Sequence, residues 1–453
     1  MRDATEIAAA VRSGEASAVE VTRDHLDALA ERDRGVDSVW LVTEERALRE
    51  ASAVDSRIAA GEDRGVLAGV PVGWKDLIDT AGERTTYGSA IWRDNVPSTD
   101  ADVVARTVAA GGITVAKLAT HELAWGTTTD NPHFGTCHNP HDHSRVPGGS
   151  SGGSAAALAV GIVALAPGTD TGGSIRCPAS CCGIVGIKPT FGRVSLAGVH
   201  PLCQTLDHCG PMARSVRDCA LMLELLAGAS PGDPRTPPVP VERYRDALDR
   251  GVAGMTIGVA ERFFFEYTEP GVVTPVRAAL EALQEAGALL VEVDLGWTES
   301  GITEDIYLAE EAATLAPYWP QRRADLGADV VSAMEVAERS NVIESARQQL
   351  VRLGYRAELE QRIRDAGIDL IATPTQPFTP PTIGTQRVAF GGNDSVDVTT
   401  AMCALTEVFN VTGWPAISVP CGIDPLGMPV GIQLAALPWR ESDCLAAGAV
   451  LAT

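Results

Sequence analysis

Apolar positions recur at two spacings along this chain, and the two spacings alternate. Over residues 4–33, Ile7, Val11, Val19, Val21, Leu26 and Leu29 follow a helical interval, with Ser17 placed as an N-cap. Residues 43–60 repeat that pattern in an alanine-rich stretch closed by Gly61. The next stretch, 66–76 (VLAGVPVGWKD), is almost continuously apolar and reads as a buried strand with Lys75 at its end. A helix over 102–110, a strand over 113–118 carrying Lys117, an alanine-rich helix over 154–163, a strand over 162–167 and a helix over 215–226 follow. In the second half, strands at 256–259 and 289–293 flank a helix at 274–286. Residues 302–366 read as mostly helical and highly charged. A strand at 369–372 leads into a Pro/Thr-rich loop to about residue 384, and 416–420 with 430–434 read as a paired strand unit. Helices alternating with strands predict an α/β fold: a mixed, mostly parallel central sheet covered by helices on both faces. The Pro-rich run 230–241 marks a boundary between segments, and no internal repeat divides the chain, so one domain over 1–453 is expected.

One stretch departs from both spacings. Between Arg145 and Thr190 two serine sites are approached through glycines, Gly148-Gly149-Ser150-Ser151-Gly152-Gly153 and Gly172-Gly173-Ser174. Gly/Ser runs are commonly linkers. Here apolar segments at 155–166 and 184–187 flank them, which makes them turns inside a core. A serine in such a turn has an exposed hydroxyl with backbone N–H groups beside it, as attack on a carbonyl requires.

Composition narrows the partners. The 453 residues carry a formal net charge of −23. That charge repels nucleic-acid phosphates and anionic membrane surfaces. No uninterrupted apolar run reaches membrane-spanning length, and the N-terminus lacks a signal-peptide pattern. A cytoplasmic protein is therefore expected. The ten cysteines lack zinc-site spacing, and Cys177, Cys181 and Cys182 read as small buried hydrophobes. His138, His141 and His143 crowd a Pro-containing loop without a metal-site pattern. No metal and no cofactor are expected. Of the 36 basic residues other than histidine, only Lys75, Lys117 and Lys188 are lysines. An arginine keeps its proton near neutrality whereas a buried lysine can lose it. Lys75 has two readings at this point: snorkelling to the surface, or burial with a function.

Named serine chemistries are excluded one at a time. No Gly-Lys-Ser/Thr follows the glycines, so there is no Walker loop. Val72, Thr114 and Val185 stand three residues before the lysines, so the S-x-x-K pattern is absent. Gly148–Gly152 fits the nucleophile-elbow pattern G-x-S-x-G, but that reading needs a late histidine and none follows His208. A serine nucleophile without histidine needs another base, and a lysine of depressed pKa can serve.

At this point the sequence resembles the amidase signature enzymes. The resemblance rests on GVPVGWKDLIDTAG (69–82), PGGSSGGSAAALA (147–159), GTDTGGSIRCPASCCGIVGIKPTFGRVS (168–195) and DHCGPMARSVRDCALML (207–223). FNVTGWPAISVP (409–420) and GMPVGIQL (427–434) also match. It covers most of the chain and is most specific over 65–225. The resemblance implies Ser174 as nucleophile, Ser150 after a cis peptide as bridging serine, and Lys75 as base. It implies the N–H groups of Thr171, Gly172, Gly173 and Ser174 as the oxyanion hole. Lys117 and Lys188 would be structural, with Asp170 and Ser151 holding the loop. Arg176 would either bind substrate or be a buried structural residue, and Trp125 and Thr128 would lie in the substrate pocket. Other aromatic candidates for that pocket are Phe134, Tyr307, Tyr318, Trp319 and Phe378.

The implied activity is cleavage of a C–N bond in a small amide, anilide, ureido compound or carbamate through an acyl-enzyme. The expected partner is that small molecule, with no nucleic acid and no membrane, the chain acting alone or as a homodimer. Two alternatives remain: the glutaminase subunit of a tRNA-dependent amidotransferase, and a non-catalytic binding protein on the same scaffold.

Overall fold

The structure is a computed structural model that describes residues 2–62, 65–297 and 304–452; residues 302 and 303, at the start of the expected helical stretch, lie outside the described residues. Seven strands form the main sheet, in the order Leu289–Glu292, Thr256–Val259, Leu370–Pro374, Pro429–Ala436, Ala416–Ile423, Val185–Lys188 and Met212–Ala213. The sheet is mixed, as expected. Its two parallel pairs lie at one end, and the four remaining pairs are antiparallel. The antiparallel share exceeds the expectation because the hairpin 416–436 sits in the middle of the sheet and reverses the direction on both sides.

A three-stranded sheet, ordered Val39–Val42, Ile113–Leu118, Pro71–Lys75, lies beside it. Residues 164–166 link the two, with Leu165 bridging Val72 on one side and Ala213 on the other. The strand expected over 162–167 is therefore a single stitch. Gly161 turns the chain at φ +75°, and the N–H groups of Ala164 and Leu165 both reach the Pro71 carbonyl. Such sharing leaves no room for a ladder.

Local chemistry explains the other differences. The helical pattern over 4–33 divides into Ala4–Ser13 and Ala18–Arg32, because Gly14 (φ +79°) caps the first and Ser17 opens the second in a capping box with Glu20. The helix expected from 274 begins at Pro270, where a missing N–H costs nothing. A hairpin, Arg387–Phe390 with Asn393–Asp397, was not foreseen. Its signal was Gly391-Gly392, both at positive φ, the two-residue turn such hairpins favour. The charged stretch forms the helices Glu304–Leu315, Ala328–Ala337 and Val342–Asp365. The largest apolar cluster takes buried residues from Ala4 to Ala447, including Trp74, Phe264, Phe409 and Trp414. Among the described residues no helix is long and apolar enough to cross a membrane.

Candidate active site

Three segments converge. The strand Pro71–Lys75 delivers Lys75 to the sheet end. The loop at Ser150 runs into the helix Gly152–Ala159. The strand Gly168–Asp170 leads through Ser174 into the helix Arg176–Cys182. The two serine loops touch directly, the Ser151 N–H donating to the Ser174 carbonyl at 3.3 Å. The helix after Ser151 packs this closely only because Gly153 has no side chain: a Cβ there would lie 2.4 Å from the Ala119 nitrogen. The Gly149–Ser150 peptide is cis, as the resemblance implied.

Lys75 is fully buried. Its Nζ donates to Ser150 Oγ at 2.7 Å, Ser151 Oγ at 2.9 Å and Thr169 Oγ1 at 2.7 Å. All three partners are hydroxyls, which either accept or donate. The same shell therefore satisfies the ammonium and the neutral amine. Burial lowers the Lys75 pKa to about 7, against the opposing pull of Asp170, Cys209 and Asp207. Thr169 completes this shell and was not singled out in the sequence. Lys117 and Lys188 are structural, as expected. Lys117 donates to Ile78 O, Thr80 Oγ1 and Thr85 Oγ1. Lys188 donates to the Pro189 and Trp414 carbonyls.

The loop 171–174 is held by its carbonyls and side chains. Tyr307 Oη donates to Thr171 O at 3.0 Å, and Thr406 Oγ1 to Gly172 O at 2.6 Å. The Thr171 hydroxyl donates to Asp207 at 2.6 Å. With those groups tied back, the N–H groups of Thr171, Gly172, Gly173 and Ser174 donate to no acceptor among the described residues. Such free, fixed donors are what an oxyanion needs, at about 3 kcal/mol each. Gly173 has to be glycine: its φ is +154°, and a Cβ would lie 2.2 Å from Thr406 Oγ1. Burial pushes the Asp207 carboxyl up to about 6, against the Thr171, Cys203 and Leu202 hydrogen bonds that favour its charge.

Arg176 settles between its two sequence readings by geometry. It is fully buried. Its Nε and one Nη clasp Asp170 at 2.9 and 2.8 Å, and its remaining N–H groups go to Thr406 O, Gln433 Oε1 and Asn410 Oδ1. All five donors are used inside the protein, so none is left for a substrate. Against burial, which alone would raise it, this guanidinium holds the Asp170 carboxyl well below the usual carboxylate range. Asp170 Oδ2 in turn accepts from the Ile175 and Arg176 N–H groups, fixing the residues just after Ser174.

Trp125 is half-buried among Leu77, Ala124, Leu202 and Tyr307. Thr128 lies behind the cis peptide: a Cβ on Gly149 would sit 2.9 Å from its nitrogen. Phe134 is drawn away to Trp40, with ring centroids 5.1 Å apart, and Phe378 joins the main core. Tyr318 packs on Trp92, and Trp319 donates to Glu338. Cys181 and Cys182 are buried thiols whose pKa burial drives well above the ordinary value. Among the described residues no group of three ligating side chains could hold a metal ion. Thr406, Asn410 and Gln433 are site supports that periodicity did not mark; they come from 230 to 257 residues away.

If neutral Lys75 is the base, kcat/KM should rise with pH through about 7 and then level off. The sign follows from the amine: below that pH Nζ holds the proton it must accept. A pH–rate profile checks this, and a profile falling with pH across that range would remove Lys75 from the role.

Known proteins bear on this site. A family profile described as Amidase matches residues 20–445. A glutamyl-tRNA(Gln) amidotransferase subunit of Synechococcus sp. (strain RCC307) is 39% identical, covering 96% of this chain and 94% of its own. Among solved structures, one from a vestigial protein complex, described as revealing the evolutionary origins of an s-triazine catabolic enzyme, superposes with a TM-score of 0.94 at 36% identity. It covers 99% of this chain and 98% of that one. A bacterial aryl acylamidase of the amidase signature family reaches 0.91 at 27% identity, over 99% and 95% of the two chains. These findings correct the expected partners. Relatives named as one subunit of a tRNA amidotransferase overturn the exclusion of nucleic acid and the picture of a chain acting alone or as a homodimer on a small molecule. Net charge misled because the overall charge of a chain says nothing of the local surface it presents to a partner. Sequence, fold and site arrangement agree: the chain belongs to the amidase family.

Proposed function

We propose that this chain cleaves a carboxamide C–N bond through an acyl-enzyme on Ser174, as the amide-cleaving component of a glutamyl-tRNA amidotransferase-like assembly. The observation that carries the chemistry is the buried Lys75 amine 2.7 Å from Ser150, beside four N–H donors at 171–174 without an acceptor among the described residues. In this reading Ser174 gives its proton by way of Ser150 to neutral Lys75 and attacks the carbonyl. The N–H groups at 171–174 take the oxyanion, and the proton returns to the departing nitrogen. Water then releases the acid by the same relay. The assembly reading is supported by curated relatives that match almost end to end. Ten cysteines without a disulfide fit a reducing, cytoplasmic setting.

Hydrolysis of small-molecule amides is the second reading, favoured by one observation. The structure superposes better on the s-triazine-linked protein and the aryl acylamidase, at 0.94 and 0.91, than on the glutamyl-tRNA(Gln) amidotransferase subunit of Thermotoga maritima, at 0.80. Ammonia release from glutamine, measured with the purified chain and with proteins co-purified from its source, tests both. Glutamine turnover that appears with the partners supports the first reading. Turnover of acetanilide or butanamide by the chain alone, with no gain from partners, replaces it by the second. Loss of every activity in Ser174→Ala is expected in either case, and an intact rate would end both.

A further inference from the structure

A buried carboxyl beside the nucleophile loop has no use in the chemistry above. Glu311 lies on the helix Glu304–Leu315 and is 2% exposed, and its Oε2 has no hydrogen-bond partner. A carboxyl oxygen buried unpaired is costly, and the cost persists in a folded protein only where something answers it.

The helix register says where this group points. Tyr307, one turn earlier on the same face, donates to Thr171 O, and its Oη would lie 2.9 Å from a Cβ on Gly172. Ile306 and Tyr307 join the apolar cluster of Leu77, Ala124 and Leu202. Ala312 and Leu315 join a second cluster with Leu123, Leu326 and Met334. Trp125 packs against both. Glu311 lies one helical turn, about 6 Å along the axis, from Tyr307, on a helix whose neighbours at 306–307 and 312–315 belong to the two clusters. The charges that act on it are Asp207 behind that loop, Glu122, and Asp329 of the helix Ala328–Ala337, all carboxyls. Two of those are answered already, Glu122 by His133 at 2.9 Å and Asp329 by His121 at 2.8 Å, and Asp207 holds Thr171.

We propose that Glu311 is the recognition residue for a protonated amine carried on the acyl part of the amide substrate. This rests on amide cleavage at Ser174, which both readings of the function share. Burial, and then the neighbouring carboxylates, push the pKa of this carboxyl well up. A bound ammonium favours the charged carboxylate, any proton on it leaving to solvent, and completes an ion pair with it.

Two matched substrates test it. In 4-aminobutanamide an ammonium stands where pentanamide has a terminal methyl, and the two have the same length. The wild type should favour 4-aminobutanamide. Glu311→Gln, which keeps the shape and loses the charge, should lower kcat/KM for it by about 30-fold or more, chiefly through KM. Pentanamide should change by less than about threefold, as expected where no charge is lost. Equal loss on both substrates in Glu311→Gln, with an unchanged unfolding midpoint, would make Glu311 a support for the loop and overturn the proposal. So would wild-type preference for pentanamide. A fluorophosphonate labelling of Ser174 separates the two levels. Labelling with no ammonium preference sinks only the role of Glu311, whereas no labelling and no turnover of any amide sinks the acyl-enzyme itself.

Discussion

Replacing Lys75 by methionine is expected to lower kcat/KM by about 10⁴-fold, the upper range for a positioned general base. The side chain keeps its length, so the buried space stays filled. What is lost is the nitrogen that ties Ser150, Ser151 and Thr169 together. Stability should respond in the opposite direction to activity or hardly at all. An amine whose pKa falls from 10.5 to about 7 on folding opposes folding below pH 7, where the native site must bury a charge. That penalty fades as pH rises from about 7 to 10.5, because over that range the unfolded chain holds a proton the folded chain does not. Turnover and urea midpoints measured across pH 6 to 10 therefore separate the roles. Activity should vanish in the variant at every pH, and the wild type's gain in stability over this interval should shrink. Retention of a tenth of the wild-type rate would remove Lys75 from the base position.

The second large effect is expected at Arg176, which touches no substrate in this arrangement. Arg176→Met leaves Asp170 as a buried carboxylate without its countercharge, at a cost of about 3–5 kcal/mol. The site should fail as well, since Asp170 fixes the N–H groups of Ile175 and Arg176 directly after Ser174. Pairing the change with Asp170→Asn removes the orphan charge and should recover a good part of the stability while activity stays low. Denaturation midpoints of the two single variants and the double variant check the cycle. A double variant no more stable than Arg176→Met would show that packing, not charge, is what Arg176 supplies.

These two residues also show how far the chain could be read unaided. Lys75 was marked by the scarcity of lysine and by its place at the end of a buried apolar run, but only the family resemblance implied its role as base. Ser150 and Ser174 were legible because glycines at fixed spacing announce turns that only a close backbone approach explains. Arg176 was legible as a residue of interest but not in its role. Its position in a motif says nothing about how many of its donors are taken, and the acceptors that take them lie on Asp170, Thr406, Asn410 and Gln433. Tyr307 and Thr406 clamp the oxyanion loop from segments whose apolar pattern reads only as helix.

By itself the sequence determined the local conformations and the chemical inventory. Helix starts at Ser17 and Ser215, the stop at Gly14, the strand ending in Lys75 and the turn at Gly173 each follow from backbone sterics and nearby hydrogen bonds, which act over a few residues. The tertiary structure alone decided which of those groups meet. It placed the hairpin 416–436 at the sheet centre, made 162–167 a single stitch, used up Arg176, and buried Glu311 with an unpaired oxygen. The reason is range: a propensity is settled within one turn of chain, whereas burial, a shifted pKa and a spent donor depend on neighbours hundreds of residues away.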